Sequence, residues 1–193
     1  MKFLLNSKKL IYSIDELKKL NLSLYKINLL VKEGKLNKIN KKNYENVNFN
    51  GDFNEFYFVQ GYIERGVICL ISAASYYNLT SIRPMEVDVA IWRKDKVYTM
   101  PEWPETKIFY FQKERYETGV KEINDSFNSF KIYDLEKTVV DIVYYKNKIG
   151  IEDIKEIIHN YLKHPDRNLN NLYKYSKLFG CEDTIKKYME VLL

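Results

Sequence analysis

The residues best equipped for chemistry lie in the first quarter of the chain. Ser23, Tyr25, Lys26, Asn28 and Lys32 fall on one predicted helix, and Lys38, Lys41 and Lys42 on the hairpin that follows it. Hydroxyl, amide and ammonium groups in this order suit a polyanion. Ser23 and the free amides behind it can hold a phosphate at a helix start. Tyr25, Lys26 and Asn28 combine donors with apolar area and can read base edges. Lys38, Lys41 and Lys42 can bind backbone phosphate or enter a minor groove. The charge distribution agrees. The 193 residues carry a formal net charge of +5, but residues 1–48 hold 11 Lys against Asp15, Glu16, Glu33 and Glu45, a local charge of +7. The remainder is slightly acidic, at −2. A basic excess confined to one segment marks a nucleic-acid-binding module on a near-neutral domain. A solvated lysine-rich face, or a helix pair used for protein contacts without DNA, produces the same count.

Other chemistry has less to work with. Glu86 and Asp88 alternate along a predicted strand, and paired strand carboxylates can hold Mg²⁺ for nuclease or nucleotidyl-transfer reactions. No Gly-Ser precedes them and no Glu-x-Lys follows at a useful spacing, so this enzyme reading is the alternative. His159 and His164 are five residues apart, off a common helical face, with no Cys or carboxylate cluster beside them. No metal, cofactor or catalytic residue is therefore expected, and the chain is read as a non-enzyme. Neither a nucleophile elbow nor a Gly-rich phosphate loop is present. Cys69 and Cys181 lack paired spacing and read as reduced, buried thiols. Trp92, Tyr98, Trp103, Phe109, Tyr110 and Phe111 surround Pro101 and Pro104. They suit core and rim packing, or a partner-binding patch.

The elements that must position these residues follow from pattern. Residues 2–10 read as helical. Ser13-Ile14-Asp15-Glu16 is a capping box, and Ile14, Leu17 and Leu20 make the apolar stripe behind it. Asn21-Leu22 turns, Ser23 caps a second helix, and Leu24, Ile27, Leu30 and Val31 face inward. Gly34 stops that helix. Residues 35–39 and Tyr44 then form a basic ribbon around Asn40-Lys41-Lys42-Asn43. This order predicts a winged helix-turn-helix over 1–48. Residues 46–53 read as a linker, and 54–193 as an α/β domain with a small, mostly antiparallel sheet and C-terminal helices. The whole is α+β. Within the second domain, 54–64 and 66–78 are predicted helices, and Met85–Trp92, 107–111, 120–122 and 129–133 strands. Asp134 caps a helix running to about Lys146, and helices follow at about 152–164, 168–179 and 183–192. The apolar step at the start is too short for a signal peptide. No apolar run approaches the roughly 20 residues of a bilayer span, so a cytoplasmic protein with no membrane partner is expected.

In order along the chain, these segments resemble the AbiEi-type antitoxins of bacterial type IV, abortive-infection toxin–antitoxin pairs. The likeness runs through Asn21-Leu22-Ser23 to Lys35-Leu36, the wing ending at Tyr44, Gly66 to Ala74, and Tyr76-Tyr77-Asn78-Leu79. It continues through Lys131 to Asp141 and the closing helices with Leu172, Tyr175, Leu178 and Tyr188-Met189-Glu190. Two positions depart from it. The family often has Arg-Gly-x-Tyr at the wing tip, where this chain has Lys41-Lys42-Asn43-Tyr44. It often has Glu-Arg-Thr where this chain has Glu136-Lys137-Thr138, and Lys does not replace a forked guanidinium. The resemblance implies a winged-helix autorepressor that binds double-stranded DNA at its own promoter, in inverted repeats. It also implies a C-terminal domain that counters a cognate nucleotidyltransferase-like toxin, directly or indirectly.

Overall fold

Short polar side chains that compete with the backbone decide where the first helices begin. Ser13 Oγ accepts from the Glu16 amide at 3.2 Å, and the Glu16 carboxylate accepts from the Ser13 amide at 2.8 Å. This box starts helix α1 (Ile14–Lys19) directly after strand β1 (Ile11–Ser13). Asn21 takes a left-handed turn (φ 59°), and Ser23 Oγ then accepts from the Lys26 amide to open α2 (Leu24–Lys32). Gly34 ends it in the left-handed conformation (φ 68°), where a Cβ would be strained. Strands β2 (Leu36–Lys38) and β3 (Asn43–Asn46) follow. With β1 they form an antiparallel sheet in the order β1-β3-β2, with Tyr44 opposite both Tyr12 and Lys38. Tyr12, Leu17, Leu22, Ile27, Leu36 and Tyr44 make its core.

The computed structural model describes residues 5–192. The chain is α+β and divides into two compact units, one of residues 5–66, 96–106 and 122–130, the other of 67–95, 107–121 and 131–192. The division does not fall in the polar stretch 46–53. Buried asparagines tie that stretch and the helix after it, α3 (Glu55–Tyr62), into the first unit. Asn46 donates to the carbonyls of Asn6 and Lys9, each at 3.0 Å. Asn43 donates to the Gly61 carbonyl at 2.8 Å. Asn128 accepts from the Leu10 amide at 2.7 Å and donates to the Lys8 carbonyl at 2.9 Å. Side-chain amides used in this way satisfy buried polar groups of irregular backbone that no strand ladder reaches.

The predicted helix at 2–10 is corrected where it can be seen; residues 2–4 lie outside the described residues. Residues 5–10 form a turn, because the Asn6 side chain accepts from the Lys8 amide and offers the backbone an alternative to helix.

A five-stranded sheet runs in the order β6-β5-β4-β8-β7, and most of its residues belong to the second unit. Its strands are β4 (Val67–Ile68), β5 (Val87–Trp92), β6 (Thr106–Phe111), β7 (Val120–Asn124) and β8 (Ser129–Tyr133). β4 pairs antiparallel with β5 and parallel with β8, setting Ile68 opposite Val89 and Ile132. The segment predicted as one helix over 66–78 is therefore a strand and then α4 (Leu70–Tyr76). Its β-branched start, Val67-Ile68, supplies the middle of the sheet. Met85–Trp92 alternates in sequence, yet Val87 to Ile91 are all buried, as befits a strand flanked on both sides. Helices α5 (Lys113–Glu117), α6 (Leu135–Tyr144), α7 (Ile151–Lys163), α8 (Leu169–Leu178) and α9 (Glu182–Leu192) complete the unit. Asp134 caps α6 through the Lys137 amide at 2.8 Å. Every residue from Leu135 to Val143 is buried, so α6 is the central helix of this core. No helix among the described residues is long and apolar enough to cross a membrane.

Candidate nucleic-acid interface

Helix α2 turns one side of its cylinder into the core and leaves the other open. Ile27 is fully buried, with Leu30 and Val31 packed beside it. At 3.6 residues per turn, Leu24, Tyr25, Asn28, Leu29 and Lys32 fall within an arc of about 140° on the opposite side. Tyr25 is 78% exposed, Leu24 55% and Leu29 42%. Leu24 was expected in the inward stripe, and it is not there. It opens the helix at the edge of the stripe, where its side chain clears the core. Leu20 behaves likewise at the end of α1.

All eight residues singled out from sequence, Ser23, Tyr25, Lys26, Asn28, Lys32, Lys38, Lys41 and Lys42, lie at the surface of the first unit. Their electrostatic situations differ. Lys42 pairs with Glu64 at 3.1 Å, and nearby Lys35 pairs with Glu33 at 2.5 Å. Lys19, Lys32, Lys38 and Lys41 have no acidic partner among the described residues. Exposed ammonium groups without a counter-ion are the ones a polyanion binds at least cost. The hairpin tip is fixed by Asn40, whose side-chain oxygen accepts from the amides of Lys42 and Asn43 at 2.8 and 2.9 Å. Asn40 opens the turn expected at Asn40-Lys41-Lys42-Asn43, and its side chain caps it as Asn at the first place of a turn does. Behind α1, burial pushes the Glu16 carboxyl up. Hydrogen bonds from Lys9 and Ser13 outweigh that and hold it below the usual carboxylate range.

The carboxylates of the alternative reading have a different setting. The Asp88 carboxylate accepts from the Ile71 amide at 3.1 Å, and the Asp88 backbone N–H donates to the Ser72 hydroxyl at 2.9 Å. These bonds fasten the start of α4 to β5. Glu86 is half-buried beside it. Among the described residues no group of three or more His, Cys, Asp or Glu side chains could hold a metal ion. Burial raises the Asp88 carboxyl to about 6, against the pull of its backbone hydrogen bonds and of Lys107. Since the folded value lies above the unfolded 3.8, the folded state binds the extra proton, and stability falls as pH rises from about 4 to about 6. Asp88→Asn keeps the acceptor and removes the charge. It is expected to flatten this slope and to raise stability at pH 7 by about 1–3 kcal/mol in urea unfolding. A slope equal to that of the parent chain would exclude Asp88 as its source.

Of the aromatic set, Phe111 is buried and Phe109 is packed against the core of the second unit, whereas Tyr98, Trp103 and Tyr110 are exposed. Trp103 stacks on Phe53 with centroids 5.9 Å apart. Cys69 and Cys181 are free and buried. No family model matches the chain, and a search of curated proteins returns no match.

Proposed function

We propose that the chain is a DNA-binding regulator whose first unit works as a winged helix-turn-helix. In this reading α1 and α2 are the helix pair, α2 is the recognition helix, and β2–β3 form the wing. The observation that carries it is the open face of α2, together with exposed Lys32, Lys38 and Lys41, which have no acidic partner among the described residues. A helix presented in this way with a basic ribbon alongside has the parts needed to enter a major groove and grip the flanking phosphates. The resemblance to AbiEi-type antitoxins supports the further reading that the chain represses its own promoter through inverted repeats. That resemblance also supports an antitoxin role against a nucleotidyltransferase-like toxin, carried out in the cytoplasm without a cofactor or enzymatic step.

Two measurements test the two halves. Duplex from the chain's own promoter is expected to bind at least about 1,000-fold more tightly than unrelated duplex at physiological salt. Equal affinity for both would remove the regulator. Co-expression with a nucleotidyltransferase-like toxin encoded beside it is expected to restore growth, and continued arrest would remove the antitoxin half alone.

A further inference from the structure

The open face of α2 is unusual for a surface that meets a polyanion, because much of it is apolar. Leu24 and Leu29 stand about half exposed on either side of Asn28, with Tyr25 fully outward. Residues 1–48 contain no arginine, so the forked guanidinium that most often reads guanine is absent from this segment. Lys32 lies two turns along the helix from Leu24, at the C-terminal end, where a recognition helix meets backbone more than bases. Lys26 is exposed but falls about 60° outside the arc from Leu24 to Leu29 at about 100° per residue, so within that arc the groups left to face base edges are two leucines, the Tyr25 ring and one carboxamide. In a major groove, leucine and a phenol ring have one apolar feature to cover, the thymine methyl. A carboxamide has one bidentate match, the N6/N7 edge of adenine.

Resting on the duplex reading above, we infer that Leu24, Asn28 and Leu29 make α2 a reader of A·T base pairs, the leucines on thymine methyls and Asn28 on adenine. The lysines around them supply the charge complementarity that brings a duplex, rather than another apolar surface, to this face. Affinity then comes from phosphates and selectivity from methyl groups.

The test uses the full chain and a duplex pool with a random core. Selected sites are expected to carry A·T pairs at the positions under α2. Replacing their thymines with uracil keeps every hydrogen-bonding group and removes only the methyl. It is expected to weaken binding about fourfold for each methyl covered. A Leu24→Ala/Leu29→Ala variant should bind thymine and uracil duplexes equally, with an unchanged salt dependence because no ammonium group is lost. Both leucines are exposed, so its thermal unfolding should match the parent. A G·C core, or equal binding of thymine and uracil sites by the parent chain, overturns this inference and leaves the regulator standing. A pool from which nothing is enriched overturns the duplex reading as well, and assigns the apolar face to a protein partner.

Discussion

Replacing Lys32, Lys38 and Lys41 together with alanine is expected to weaken duplex binding roughly 500-fold at 0.1 M salt. The reason is counter-ion release. Each phosphate neutralised contributes about 0.9 to the slope of log affinity against log salt, so three lost contacts lower that slope by about 2.7. Over the decade from 1 M to 0.1 M salt, this amounts to between two and three orders of magnitude. These three lysines are chosen because they are exposed and have no acidic partner among the described residues. Their removal should leave the unfolding midpoint in place, since exposed side chains away from caps and cores contribute little to stability. Lys35, which is engaged by Glu33 at 2.5 Å, provides the contrast. Lys35→Ala removes the same charge from a pair already neutral overall, and should change the slope by less than one third of the triple variant's change. Anisotropy titrations at four salt concentrations read both numbers. A triple variant with the parent's slope would mean that these lysines touch no phosphate.

The first unit was readable from sequence wherever structure is decided locally. Ser13, Glu16, Ser23 and Gly34 act within four residues of themselves, and each sits where its cap or stop was expected. What sequence did not show depends on partners far along the chain. Asn128 holds the backbone at Lys8 and Leu10 across 118 to 120 residues, and no local pattern announces such a partner. The polar stretch 46–53 read as a linker for the same reason, since Asn46 looks like turn chemistry until its donors are traced to Asn6 and Lys9. On the site itself, helical spacing separated Ile27 from Tyr25 and Asn28 but misplaced Leu24, which lies at the edge of the stripe. The period of a helix fixes the centre of its buried face well and the margins poorly, because the depth of the neighbouring core sets the margin. In the second unit, apolar period found α6, yet it could not show that Glu136, Lys137, Thr138 and Asp141 would be buried along with Val139 and Ile142.

That burial leads to the largest expected loss of stability, in Asp141→Ala. The Asp141 carboxylate is wholly enclosed and receives two cations, Arg115 from α5 at 2.5 Å and Lys137 one turn back on α6. Lys137 lies 4.0 Å from the centroid of the Tyr133 ring, and the Arg115 guanidinium lies 3.6 Å from that of Tyr144. Burial pushes Lys137 below and Asp141 above their ordinary values. A buried guanidinium such as that of Arg115 needs a counter-charge. Removing the carboxylate strands two cations among aromatic rings, and is expected to cost about 3–5 kcal/mol in chemical unfolding. Lys137→Met leaves one cation on one anion in a similar volume and should cost less than about 1.5 kcal/mol. If the two cations share the carboxylate as one unit, Lys137→Met introduced into Asp141→Ala should recover part of the loss, giving a coupling of about 1 kcal/mol or more. Simple addition of the two single costs would mean that Arg115 alone depends on Asp141, and that Lys137 is held by its rings.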